Sequence, residues 1–216
     1  MSAASDSLNN MTIPLQDGSD QALLMPKLKY RFRVTLLNFG VNGSTTELTK
    51  QVVDFARPSV TFEEIPIDIY NSKIYLAGKH SWETTTLNVR DDASNTVSAL
   101  VGQQLQKQLD FYEQASAAAG IDYKFTLSCE ILDGGNGVGD GQTGPVVLET
   151  WTLVGCYLAG ANYNDLNYGS SEAVTISMTI RYDNALLNQG AAGQGLTYGA
   201  TIGRGLAGGL ITGSGA

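Results

Sequence analysis

Charge is scarce in this chain. Lysine and arginine number 13 and aspartate and glutamate 21, so charged residues are 16% of the 216, against roughly 25% in soluble domains. Hydrophobic content is ordinary at 43%. A chain with few charges and normal hydrophobicity has surface to cover, and copies of itself are one cover. Histidine occurs once, as His80, which leaves no His-rich set of three or four clustered zinc ligands. The two cysteines, Cys129 and Cys156, cannot make a disulfide framework and read as small buried hydrophobes in strands. No apolar run is long enough to cross a membrane as a helix. Residues 1–20 lack a basic start followed by an apolar stretch, so synthesis in a reducing cytoplasm and no stable membrane insertion are expected. The net charge of −8 argues against a protein that grips DNA on a basic face. It is unevenly spread: residues 1–60 carry six basic and five acidic groups, residues 61–120 four and eight, and residues 121–183 two and eight.

What is present is mostly strand signal. Leu28, Tyr30, Phe32, Val34 and Leu36 alternate with Lys29, Arg31, Arg33 and Thr35, which predicts a half-buried strand over 27–38. A second strand runs from Gln51 to Pro58. Residues 59–69 are extended and contain Pro66. Residues 70–90 read as a hairpin turning at Ala77-Gly78-Lys79, with Trp82 and Thr84-Thr85-Thr86 on its return strand. Residues 122–132 alternate with Phe125, Leu127, Cys129 and Ile131 inward, and residues 172–182 with Val174, Ile176, Met178, Ile180 and Tyr182 inward. Val146 to Leu158 is a further long strand. The one strong helix signal is Val97, Leu100, Val101, Leu105, Leu109 and Tyr112 at helical spacing. Asp91, Asp92 and Ser94 offer N-terminal capping, and Gly120 a stop, giving a helix over about 94–118. The expected organisation is a polar arm over 1–26, a β domain over 27–187 and a Gly-rich extension over 188–216. The expected class is α+β and mostly β: two packed antiparallel sheets, barrel or sandwich, with one flanking helix.

Chemistry motifs fail on context. Gly139-Asp140-Gly141-Gln142-Thr143-Gly144 matches a dinucleotide-binding spacing, but a strand follows it, not a helix. Gly134-Gly135-Asn136-Gly137 resembles one turn of a calcium-binding β-roll, and such repeats need stacked copies. Glu63 and Glu64 point to opposite sides of a strand, and Asp91-Asp92 reads as helix-start chemistry. No enzyme, cofactor or metal site is expected.

Three stretches carry a resemblance: Leu28-Lys29-Tyr30-Arg31-Phe32-Arg33-Val34; Thr84 to Asp92 running into the helix; and Leu153-Val154-Gly155-Cys156-Tyr157-Leu158, the turn Asp165-Leu166-Asn167-Tyr168, then Ala173 to Tyr182. In order and spacing, residues 27–185 resemble the tail tube proteins of contractile-tailed, T4-like phages, related in fold to the tubes of type VI secretion and pyocins. The resemblance implies hexameric rings stacked into a tube, homo-oligomeric with a β-barrel wall shared between subunits. It implies a surrounding sheath, baseplate and tail-terminator partners, transient passage of DNA through an acidic lumen, and a place in the virion tail. Lys29, Arg31, Arg33, Tyr70, Tyr75, Trp82, Asp165 and Tyr168 are the candidates for subunit interfaces. The basic stripe Lys29, Arg31, Arg33 fits an acidic neighbour, a sheath or plain solvent. A type VI or pyocin-like tube carrying another cargo stays open, as do an outer-membrane barrel and an enzyme on a β scaffold.

Overall fold

The structure, a computed structural model, describes residues 27–41, 45–132 and 145–189, with the backbone of two short strands nearer the N-terminus. The chain divides into two units, residues 1–31 and 32–216. In the first, β1 (Thr12–Pro14) pairs antiparallel with β2 (Asp20–Ala22). A turn follows, in which the Arg31 N–H donates to the Leu28 carbonyl at 3.2 Å. The strand expected from residue 27 therefore begins only at Phe32. The alternation of residues 27–31 is not used, and Tyr30 is exposed.

The second unit is built around one long strand, β11 (Val147–Asn162). Its first half, Glu149 to Val154, lies between β10 (Phe125–Leu132) and β13 (Asn184–Gln189), and β3 (Phe32–Leu37) extends that leaf beyond β10. Its second half, from Tyr157, pairs with β12 (Thr175–Arg181), which pairs with β7 (Thr85–Arg90), and that with β4 (Val52–Phe55). All pairings are antiparallel, and the seven strands form an open sheet in which Gly155, at φ 70°, marks where β11 changes partners. The expected mostly-β fold with antiparallel sheets is what forms.

Period-two patterning explains the core. Phe125, Leu127 and Cys129 on β10, Ile176, Met178 and Ile180 on β12, and Leu87 and Val89 on β7 are buried together with Val34, Leu36 and Leu153. Alternate residues are hydroxyls or amides facing out. Val174, expected inward, lies before β12 and is exposed.

Three helices are described: α1 (Thr46–Lys50), α2 (Thr96–Gln108) and α3 (Gly120–Tyr123). The N-cap is Asn95, which makes no side-chain cap hydrogen bond; of the expected capping residues, Asp92 contributes by accepting the Thr96 N–H at Oδ1, 3.0 Å. Val97, Leu100 and Val101 reach the core. The helix ends at Gln108, ten residues short of the expected 118. Asp110 Oδ1 accepts from the N–H groups of Tyr112 (2.8 Å) and Glu113 (3.2 Å). That local turn replaces helical bonding, and Leu109–Asp110 (β8) pairs with Ala115–Ser116 (β9) instead. The two backbone donors hold the Asp110 carboxyl below its ordinary value. Tyr112, placed on the apolar stripe by spacing, is exposed.

Two glutamines on α2 do work that spacing did not signal. Gln104 is fully buried. Its Oε1 accepts from the Gly40 N–H at 3.0 Å and its Nε2 donates to the Tyr123 carbonyl at 2.6 Å. Gln108 donates to the Leu158 carbonyl at 2.9 Å and accepts from the Leu158 N–H at 2.8 Å, beside the bulge between Leu158 and Gly160. Gln104→Leu leaves a buried N–H and a carbonyl unpaired and is expected to lower stability by about 2–3 kcal/mol, measured by urea denaturation.

Candidate assembly interface

Between β4 and β7 the chain runs into a long hairpin, β5 (Val60–Ile69) against β6 (Ser72–Trp82). Every residue of β5 is exposed, and so is all of β6 except Gly78 and Trp82. Among the described residues the hairpin pairs with no other strand. The turn is Tyr70-Asn71, and the expected turn at Ala77-Gly78-Lys79 is a bulge inside β6, where the register slips between the Phe62 and Glu64 pairings. Gly78 permits it, because a Cβ there would sit 3.0 Å from the Glu63 carbonyl oxygen. His80, expected in a turn, is on the strand opposite Phe62.

The register sorts the side chains into two faces. One carries Ile65 opposite Leu76, Ile67 opposite Ile74, and Ile69 opposite Ser72, an aliphatic ribbon whose five apolar members are 42–50% exposed. The other carries Pro66 opposite Tyr75 and Asp68 opposite Lys73, the last two 3.4 Å apart as an ion pair. Towards the root, Phe62, His80, Trp82 and Tyr182 form a run of ring contacts with centroids 5.8–6.1 Å apart. The Glu83 N–H donates to the Ser59 carbonyl at 3.0 Å and closes the base. The root is thus tied to the core while the rest stands free.

A lone hairpin of this length is an anomaly. Each strand has an unpaired edge, which monomeric proteins keep short or blunt, and two strands without a packed face are marginal in water. Burying the exposed half of each ribbon residue is worth about 1 kcal/mol apiece. At the tip, Tyr70 is 99% exposed with φ 50°, a left-handed conformation costing a non-glycine residue roughly 1–2 kcal/mol.

Of the residues singled out from sequence, Tyr70 and Tyr75 lie on this hairpin and are exposed; Trp82 is at its root and packs against the core. Asp165 and Tyr168 are exposed in the connection between β11 and β12, beside exposed Leu166. The expected basic stripe does not share one strand. Lys29 and Arg31 precede β3, the Arg31 guanidinium lying 5.5 Å from the Tyr30 ring centroid, and Arg33 on β3 is paired with Glu130 at 2.5 Å. The aliphatic ribbon itself was not singled out from sequence. The glycine motifs at 134–137 and 139–144 lie outside the described residues.

Neither cysteine is poised as a nucleophile. Burial pushes both thiols, Cys129 and Cys156, up to about 12, far from the thiolate a nucleophile needs. A disulfide-exchange reagent at pH 8 is expected to label neither until the protein unfolds, checked by labelling rate against denaturant. A surface depression of about 410 Å³ is lined by Gln108, Leu109, Tyr123, Tyr157 and residues 116–120, without a carboxylate, histidine or cysteine.

The architecture, an open antiparallel sheet with a helix packed on it, is shared with chains in solved structures of contractile injection systems. A chain of the anti-feeding prophage tube-terminating cap matches with TM-score 0.54 at 15% identity, covering 80% of this chain and 97% of that one. A chain of the six-fold symmetrised anti-feeding prophage baseplate matches with TM-score 0.54 at 14% identity, covering 76% and 97%. A chain of the sheath–tube complex of an extracellular contractile injection system, in its extended state, matches with TM-score 0.52 at 14% identity, covering 76% and 92%. No protein-family model and no curated protein matches the sequence.

Proposed function

We propose that this chain is a structural subunit of the inner tube of a contractile tail, assembling into six-membered rings that stack into a tube inside a sheath. The hairpin carries the reading: among the described residues it exposes an aliphatic ribbon and two unpaired edges, a surface suited to cover by other subunits. The shared fold with tube-associated chains supports it, as does the low charge of the chain. In this reading the rings meet a baseplate at one end and a terminator at the other, and the particle is a phage tail whose lumen passes DNA transiently.

A conduit must not hold its cargo. The outer face of the leaf β3-β10-β11-β13 fits that demand. It presents Thr35, Thr126, Ser128, Thr150, Thr152 and Asn188 beside the exposed apolar residues Leu37, Val154 and Leu186, and its Arg33 is neutralised by Glu130. Such a face offers phosphates no unpaired cation to bind. The second reading, a tube that delivers a cargo other than DNA, is favoured by the neighbours being injection-system chains. Negative-stain electron microscopy of the purified chain at high concentration tests the tube itself. Rings or tubes with a central hole are expected; a monomer at every concentration and salt would overturn it.

A further inference from the structure

The two outer edges of the hairpin are not equivalent. Ile69 and Ser72 flank the two-residue turn, so they form a hydrogen-bonded pair, and pair types alternate from there. Ile67/Ile74 and Ile65/Leu76 then bond within the hairpin. Asp68/Lys73, Pro66/Tyr75 and Glu64/Ala77 turn their backbone polar groups outward. Pro66 falls in the outward set, where lacking an N–H leaves the ladder intact. Its ring stands on the open edge of β5 and removes the donor from the middle of it. The open edge of β6 has no such block. Lys73, Tyr75 and Ala77 each offer an N–H and a carbonyl there, and no proline lies between Ser72 and Trp82.

Charge divides the same way. β5 carries Glu63, Glu64 and Asp68 and no cation; β6 carries Lys73, Lys79 and His80 and no carboxylate. Two β6 edges laid together would bring the lysines of both copies onto one ladder, which is unfavourable. Residues 83–183 hold thirteen acidic and four basic groups, so the rest of another copy is the complementary surface.

We propose that the open edge of β6 is where a second copy of this chain adds an extended segment, head to tail, while Pro66 keeps the edge of β5 unpaired. Head-to-tail pairing is the kind that closes rings, and main-chain bonds of this sort are how strand addition gains affinity. The inference rests on the tube reading and adds to it the strand edge used and its polarity.

Hydrogen exchange on the full chain, free and assembled, tests it. The amides of Lys73, Tyr75 and Ala77 are expected to slow by roughly tenfold or more on assembly, while those of Glu64 and Asp68 stay fast. Protection at Glu64 and Asp68 instead would overturn the proposal. Ala77→Pro removes only an outward donor. It is expected to retain the monomer's circular dichroism and raise the assembly concentration by roughly 100-fold, whereas Asp68→Pro on the other edge assembles like the parent. An Ala77→Pro chain that assembles normally overturns the edge assignment alone. A parent chain that never assembles overturns the tube reading and this inference with it.

Discussion

Ile67→Asp is expected to leave the subunit folded and to abolish assembly. Ile67 sits mid-ribbon, opposite Ile74, and is 42% exposed in the free subunit. A polar residue at such a position changes the stability of the monomer by no more than about 0.5 kcal/mol. In a ring the same position is covered. The substitution there removes about 1 kcal/mol of apolar burial and places a carboxylate in a desolvated band, where an unpaired charge costs several kcal/mol more. Three kcal/mol at each subunit contact raises the assembly concentration by more than roughly 100-fold. Every contact around every ring repeats the penalty. Sedimentation velocity with thermal unfolding on the same sample reads both halves of the expectation. Ile67→Val, which keeps the shape and hydrophobicity, should assemble. An aspartate variant that forms tubes at the parent's concentration would show that the ribbon is not a subunit contact.

The ribbon is also where sequence and structure part most instructively. Ile65, Ile67 and Ile69 alternate with Glu64, Pro66 and Asp68, a pattern that in β10 and β12 correctly marks one face as core. Alternation reports that two faces differ chemically, and not which protein chain covers the apolar one. Where the cover lies in the same chain, as for Phe125, Leu127 and Cys129, strand, face and burial were all legible. Where it does not, sequence favoured the aromatic residues Tyr70 and Tyr75 and passed over the aliphatic band. The hairpin turn was misplaced for a related reason. Ala77-Gly78-Lys79 has turn chemistry, whereas Tyr70 in the left-handed region has none to read. The glycine instead serves a bulge. Helix α2 was legible near its start, where Asp92 accepts the Thr96 N–H although Asn95 is the N-cap, and not at its end. Leu109 and Tyr112 continue the helical spacing, but the Asp110 carboxylate takes two backbone N–H groups into a turn. The buried role of Gln104 depends on Gly40 and Tyr123 arriving from elsewhere in the fold, which no local pattern encodes.

Gly155→Ala is expected to destabilise the subunit by about 2–5 kcal/mol, combining a left-handed backbone penalty of roughly 1–2 with overpacking of roughly 1–3. Gly155 has φ 70°, at the point where β11 leaves its pairing with β13 and takes up β12. A Cβ there would overlap the Asp183 carboxylate, lying 2.7 Å from its Cγ. The Asp183 side chain is 60% exposed and can swing aside only by breaking its ion pair with Lys124. The Asp183 N–H donates to the Val154 carbonyl at 3.1 Å, and its Oδ2 accepts from Lys124 Nζ at 2.5 Å. The close approach follows from topology, since β12 and β13 are joined by only Tyr182 and Asp183 and must both lie beside one strand. Urea denaturation measures the loss, and a cycle with Asp183→Ala apportions it. Removing the carboxylate should recover part of the packing share, making the double variant less destabilised than the sum of the singles. Strict additivity would assign the whole penalty to the backbone. Tyr182, next along the chain from Asp183, contacts Trp82 at the hairpin root, so displacing this link also loosens the element proposed to join subunits. Assembly of Gly155→Ala should therefore fall together with its fold stability, whereas in Ile67→Asp assembly falls while the fold holds.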